Sequence, residues 1–234
     1  WSDGETRLWS DPFLSPKRPR YPRRYQPLGP ADFPETRHAV LLTHTHPDHF
    51  DPASLLRFPD DTLFLVPVIE RESLLSVNVR LRLEQLGFRR VVALAWGERR
   101  AVGGFEVVAL PFYGEQPLGW GASAPLAEWN RGNTWAVRDR RGRQTVLLAD
   151  SGSDPRMPVL DHARRLRREL GRVDALFANH RRWTLYPPQY LVGSVPQYLC
   201  YVPDADLAAR QRIMLEPGEL AAVAETLGAR WVVP

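Results

Sequence analysis

Cysteine occurs once in the 234 residues, at Cys200. A single thiol cannot close an intrachain disulfide, so the fold must be held by core packing, and a reducing, cytoplasmic setting is expected. No apolar run approaches the roughly 20 residues that cross a bilayer, and no signal-type segment opens the chain, so membrane insertion is not expected. Lysine is nearly absent too: Lys17 stands alone among 31 basic residues, a bias that reads as coding preference more than chemistry. The net charge of +4 is mild. With 44% hydrophobic residues the chain can bury a sizeable core. No internal repeat or domain boundary is visible, so residues 1–234 are expected to form one domain. The opening at Trp1 and the stop at Pro234, directly after a strand, suggest a fragment of a longer chain.

Histidine is also scarce, and its distribution is what matters. Half of the six histidines fall in Leu41-Leu42-Thr43-His44-Thr45-His46-Pro47-Asp48-His49-Phe50-Asp51. The segment follows an apolar run, Val40 to Leu42, that reads as a buried strand. Side chains two apart in extended chain share a face, so His44 and His46 can converge on one ion. Pro47 then breaks the strand, and the turn carries Asp48 and His49 toward a second point nearby. Imidazole and carboxylate together suit zinc, iron or manganese. A metal site, with room for two ions, is the reading. His38 and His162 lie away from it and read as structural or exposed. Asp51 reads as a cap or as a partner of a ligating imidazole.

The spacing His-x-His-x-Asp-His resembles the signature of the metallo-β-lactamase-fold superfamily. Leu8-Trp9-Ser10-Asp11-Pro12 looks like the strand and turn that precede its metal loop. Gln144 to Gly152 looks like the later strand that ends in a metal-bridging aspartate, here Asp150, and Gly228 to Pro234 looks like the last strand. The resemblance implies an α/β protein of four layers, an αββα sandwich. The strand and helix patterns accommodate it. Strands are expected over 62–66, 91–94, 105–110, 135–138, 145–149 and 173–178. Helices are expected over Glu70 to Leu86, Met157 to Leu170 and Pro217 to Leu227. Asp139-Arg140-Arg141-Gly142 reads as a hairpin turn.

Members of that superfamily usually supply a third histidine on a loop after the strand that matches 105–110. This chain has none between His49 and His162, and the loop reads Pro111-Phe112-Tyr113-Gly114-Glu115. Glu115 is the expected substitute. His180, after the strand 173–178, is a candidate second-metal ligand or substrate contact. The expected set is His44, His46 and Glu115 at one metal, Asp48, His49 and His180 at the other, and Asp150 between them, with Asp48, Glu115 and Asp150 as the candidate catalytic carboxylates. So much carboxylate favours iron or manganese over zinc. The set is similar to that of the diiron β-hydroxylase of chloramphenicol biosynthesis. This similarity implies a dinuclear iron oxygenase using O₂ and an electron donor on a small, amino-acid-derived substrate. The alternative is a dizinc or dimanganese hydrolase of an ester, lactone, amide or phosphodiester. Tyr113, Trp120, Trp129, Trp183 and Tyr186 are candidates to line a pocket, or equally core residues. The arginine- and proline-rich stretch Pro16 to Tyr25 reads as a connecting loop rather than a nucleic-acid surface, because acidic residues balance the charge elsewhere and the pattern does not repeat. Such a loop can also cover the cleft or grip an acidic carrier.

Overall fold

The structure, a computed structural model, describes residues 1–14, 28–70, 72, 77–114, 131–153, 157–180, 184–185, 211–212 and 215–234. The first half carries β1 (Thr6–Ser10), β2 (Arg37–Leu41), α1 (Pro52–Leu55), β3 (Leu63–Pro67), α2 (Val79–Gln85), β4 (Arg90–Leu94), β5 (Arg99–Val102) and β6 (Phe105–Pro111). The second half carries β7 (Asn133–Asp139), β8 (Gln144–Ala149), α3 (Val159–Leu170), β9 (Ala175–Ala178), β10 (Thr184–Leu185), β11 (Gln211–Arg212), α4 (Pro217–Leu227) and β12 (Trp231–Val233).

Strands β1 to β4 form a sheet in sequence order, parallel throughout. A second sheet runs β12-β9-β8-β7-β6-β5, antiparallel from β5 to β8 and parallel from β8 to β12. The two-residue strands β10 and β11 pair with each other.

Side-chain alternation sorts the core into three layers. From β2, Ala39 and Leu41 pack with Leu8, Leu63 and Leu65 against Val107, Ala109, Trp135 and Val137 of the other sheet. The intervening Val40 and Leu42 point the other way, onto Leu55, Phe64, Val79 and Leu83, where α1 and α2 cover the first sheet. The second sheet repeats the arrangement. Val108, Leu110, Val146, Leu148 and Leu176 face α3 and α4. Both faces of each central strand are therefore apolar, which is why these segments read as continuous hydrophobic runs. Helix α3 contributes Val159, Ala163, Leu166 and Leu170, and α4 contributes Leu220, Val223, Ala224 and Leu227, one stripe each at helical spacing. The layer order is helix, sheet, sheet, helix, as expected.

Several boundaries differ from expectation. The helix expected from Glu70 is α2, which begins only at Val79. The Asn78 side chain accepts the Leu81 N–H at 3.1 Å, and this cap sets the start of the helix. Residues 70, 72 and 77 are non-helical. Helix α3 starts at Val159 rather than Met157, because Pro158 disfavours helical backbone in the residue before it. Strand β9 is two residues shorter at its start than the apolar pattern suggested. Strand β5 and the short helix α1 were not anticipated. Asp51 caps α1, accepting from Ser54 N at 3.1 Å and Ser54 Oγ at 2.5 Å. Among the described residues, no helix is long and apolar enough to cross a membrane.

Candidate metal centre

The ends of four strands build the site. Strands β1 and β2 run parallel with Ser10 opposite Leu41, so the residues that follow them, Asp11 and Thr43, emerge side by side. Strands β8 and β9 are likewise parallel, and Asp150 and Asn179 emerge together from the second sheet. Parallel pairing thus places Asp11, the histidine loop, Asp150 and Asn179 at one end of the sandwich.

The histidine loop turns tightly. His49 N and Phe50 N both donate to the His46 carbonyl, at 2.9 and 2.8 Å. This turn brings His49 back against His44, with ring centroids 4.2 Å apart, and leaves Pro47 and Asp48 exposed at its tip. His44 is fully buried and His49 nearly so.

Asp11 organises the loop from behind. Its Oδ1 accepts the Thr43 backbone N–H at 2.8 Å, and its Oδ2 lies 2.5 Å from Thr43 Oγ1 and 2.8 Å from His49 Nδ1. A carboxylate can only accept, so the Thr43 hydroxyl proton points at Asp11. Toward His44 Nδ1, 2.9 Å away, Thr43 Oγ1 therefore acts as acceptor. Both imidazoles consequently carry a proton on Nδ1 and present Nε2 to the interior of the cluster. Asp11 reaches its position with φ of 38°, a left-handed backbone that aspartate tolerates better than most residues.

Asp150 closes the cluster from the other sheet. The β8–β9 register shifts between Leu147 and Ala149, and Ala149 adopts φ of 48°. A bulge of this kind re-aims the next side chain. Asp150, 2% exposed, takes a hydrogen bond from Asn179 Nδ2 on Oδ1 and holds Oδ2 3.1 Å from His49 Nε2.

The ring nitrogens His44 Nε2 and His46 Nδ1 stand 3.0 Å apart. One ligand nitrogen each from His44 and His49 and a carboxylate oxygen of Asp150 all lie within 4.8 Å of one another. Two donors about 2.1 Å from one ion, at 90–110°, stand about 3.0–3.4 Å apart. The His44–His46 and His49–Asp150 spacings fit that requirement. Electrostatics points the same way. Burial pushes the His44 pKa well below the ordinary histidine value, and the neighbouring His49 and His46 push it further, so its imidazole is a neutral donor. His49 is buried too, which alone would lower its pKa. The charges and hydrogen bonds of Asp11 and Asp150 overcome that, and its pKa is raised well above the usual value. Asp11 and Asp150 together thus favour the protonated form of His49.

Of the residues singled out from sequence, His44, His49 and Asp150 meet in one group, and His46 faces His44. Asp48 is exposed and outside that group, because the turn that folds His49 inward points the preceding residue out. His180 is half-buried next to Asn179 and bridges to Leu215. Tyr113 is buried and its ring meets His162 edge-on at 4.8 Å. His162 is buried in α3, and His38 accepts from Trp9 Nε1 at 3.2 Å; both serve packing. Glu115, Trp120, Trp129, Trp183, Tyr186 and the stretch 16–25 lie outside the described residues. Sequence reasoning gave no role to Asp11, Thr43 or Asn179. The nearest sequence signal to Asp11 was the strand-and-turn resemblance of Leu8 to Pro12, and the pairing of β1 with β2 is what brings it to the site.

Known proteins resemble this chain at several levels. The hydroxylase of Streptomyces venezuelae named 4-amino-L-phenylalanyl-[CmlP-peptidyl-carrier-protein] 3-hydroxylase is 41% identical over 86 residues, 36% of this chain and 16% of the hydroxylase. The crystal structure of CmlA, a diiron beta-hydroxylase from the same organism, superposes on 96% of this chain with a TM-score of 0.70 and 25% identity. A variant of the same enzyme reaches a TM-score of 0.73 at 25% identity, over 96% of this chain and 41% of the variant. The chain spans only 40% of the length of that solved hydroxylase. A possible metal-dependent hydrolase from Veillonella parvula, at 16% identity, covers 99% of this chain with a TM-score of 0.64; the match takes in 79% of the hydrolase and shares the fold. Residues 6–234 match the family described as Beta-lactamase superfamily domain. Two facing sheets between helices, with a histidine loop at the strand ends, are what that match predicts of a structure, and the chain belongs to this family and has the metallo-β-lactamase fold.

Proposed function

We propose that this chain is the catalytic part of a dinuclear iron oxygenase that hydroxylates an amino-acid-derived substrate presented on an acidic carrier protein. The observation that carries the reading is the likeness to the diiron β-hydroxylase, which extends over 96% of the chain at a TM-score of 0.73. The hydrolase-like neighbour shares the fold at 16% identity and speaks for no particular chemistry. The carrier is taken from the name of the 41%-identical hydroxylase.

In this reading His44, His46, His49 and Asp150 hold the metals, and Asp48, Glu115 and His180 complete the set. The metals supply the redox chemistry of O₂ activation. The overall reaction balances as R–H + O₂ + 2 electrons + 2 protons giving R–OH + H₂O, with the electrons from an external donor. The protein's own contribution is positional. Asp11 accepts the Nδ1 proton of His49 and so keeps Nε2 directed at Asp150. Thr43 does the same for His44. Asn179 donates to Oδ1 of Asp150, while Oδ2 faces His49 Nε2. The burial of His44 and Asp150 excludes water from the inner half of the site.

The test is metal analysis and optical spectroscopy of protein purified in air. About two irons per chain with near-ultraviolet ferric absorption supports the oxygenase. Zinc or manganese alone, with turnover of a generic ester or phosphodiester, overturns it in favour of the hydrolase.

A further inference from the structure

The candidate ligands ride on two different sheets. His44 and His49 leave β2, while Asp150 leaves β8, so their spacing depends on how the sheets are tied at this end. The tie lies at the start of β7. Asn133 N donates to the Thr43 carbonyl at 2.8 Å, joining the second sheet to the backbone next to His44. Asn133 Nδ2 donates to the Leu94 carbonyl at 3.0 Å, reaching the end of β4 in the first sheet. Asn133 is 1% exposed, which makes these bonds costly to lose.

Gly132 completes the tie by its lack of a side chain. A Cβ there would stand 2.6 Å from the Thr43 carbonyl oxygen, 3.0 Å from His44 Cβ and 3.1 Å from Phe112 Cγ. The requirement is space, since the backbone is not in the left-handed region. Phe112 in turn lies along the His44 ring, centroids 4.9 Å apart. Trp96, itself partly exposed, donates its indole N–H to the Gly132 carbonyl at 2.9 Å and fixes the segment from outside.

We propose that Gly132 and Asn133 are positioning residues for the metal centre: they clip the His44 loop of one sheet to the sheet that carries Asp150. The inference rests on the metal-centre reading above.

The probe is cobalt(II), added to the full chain and followed by competition with a chromophoric chelator and by its visible ligand-field bands. Wild-type protein that takes up no cobalt overturns the metal-centre reading itself. With wild-type binding established, Gly132→Ala is expected to weaken cobalt binding about 10- to 100-fold and to shift the bands, the size of effect seen for partners that orient ligands. Gly218→Ala, at a helical site with open space around the glycine, serves as the control and leaves both unchanged. Wild-type affinity and spectrum in Gly132→Ala overturn the proposal. Should that variant not fold, Trp96→Phe decides, because it removes the indole N–H donor to Gly132 while keeping a smaller aromatic ring at the site. A weakening of up to about 10-fold with altered bands supports the clip; an unchanged spectrum and affinity overturn it.

Discussion

The two sides of the candidate centre are made differently. The side from β2 is dense: three histidines and an aspartate crowd into residues 44–49, and one short turn folds them together. The side from β8 is sparse: a single carboxylate, Asp150, aimed by a bulge and a left-handed alanine and held by Asn179. The dense side declares itself in sequence because local spacing does the work. The sparse side is assembled by sheet register, and a lone aspartate after an apolar run looks like many others. What the contrast teaches is that strand register and a bulge can bring one distant residue up to a cluster that the chain builds locally.

Removing a donor from either side should have the largest effect. Asp150→Ala and His49→Ala are each expected to cost more metal affinity than any change behind them, and comparable losses would show that the sparse side carries equal weight. Near-normal metal content in Asp150→Ala would break the comparison. Core substitution tests the scaffold rather than the donors. Leu41→Ala, fully buried between the sheets, should cost about 2–5 kcal/mol in denaturant unfolding. Next in size is Asp11→Ala, expected to weaken metal binding about 10- to 100-fold by releasing His49 Nδ1 and Thr43 together.

The pH dependence comes next. In the metal-free protein His49 holds its proton to a pH well above the usual histidine value, and a metal must displace that proton. Affinity should therefore rise with pH through neutrality, by up to about tenfold per pH unit, and level off once His49 is deprotonated. Titration of cobalt binding between pH 6 and 9 checks this, and a flat profile would count against the charge assigned to His49. The sign for stability is opposite. A raised pKa means the folded metal-free state gains from His49 at low pH and loses that gain as pH rises through the raised value. The smallest effect is expected far from the site. The exposed pair Arg80–Glu84 on α2, 2.8 Å apart, should contribute within about 0.5 kcal/mol, and Glu84→Ala should leave metal binding unchanged.

Much of the fold was legible because its strands are buried on both faces. Val40 to Leu42, Phe105 to Leu110 and Thr145 to Ala149 are continuous apolar runs, and α4 was marked at both ends by Pro217 and Gly228. At the start of α2 a local polar interaction overrode periodicity. The apolar spacing from Leu74 to Leu86 suits one helix, yet the Asn78 cap starts α2 at Val79. Within the site, spacing alone does not tell how neighbouring residues divide between the buried cluster and the surface. Residues 48 and 49 are adjacent in the chain, and the turn faces one to solvent and the other to the cluster.

Legible in the sequence by itself were the strand and helix periodicities, the metal-ligand pattern of residues 44–49 and, through that pattern, the family resemblance that implies the layers, since these depend on periodicity or on donors close together in the chain. Only the tertiary structure decided that Asp11 stands behind His49, that Asp150 stands before it, and that Gly132 leaves room for His44. These are relations between residues dozens to a hundred positions apart. They are set by strand register and by which backbone atoms can approach, and neither is written in any short stretch of the chain.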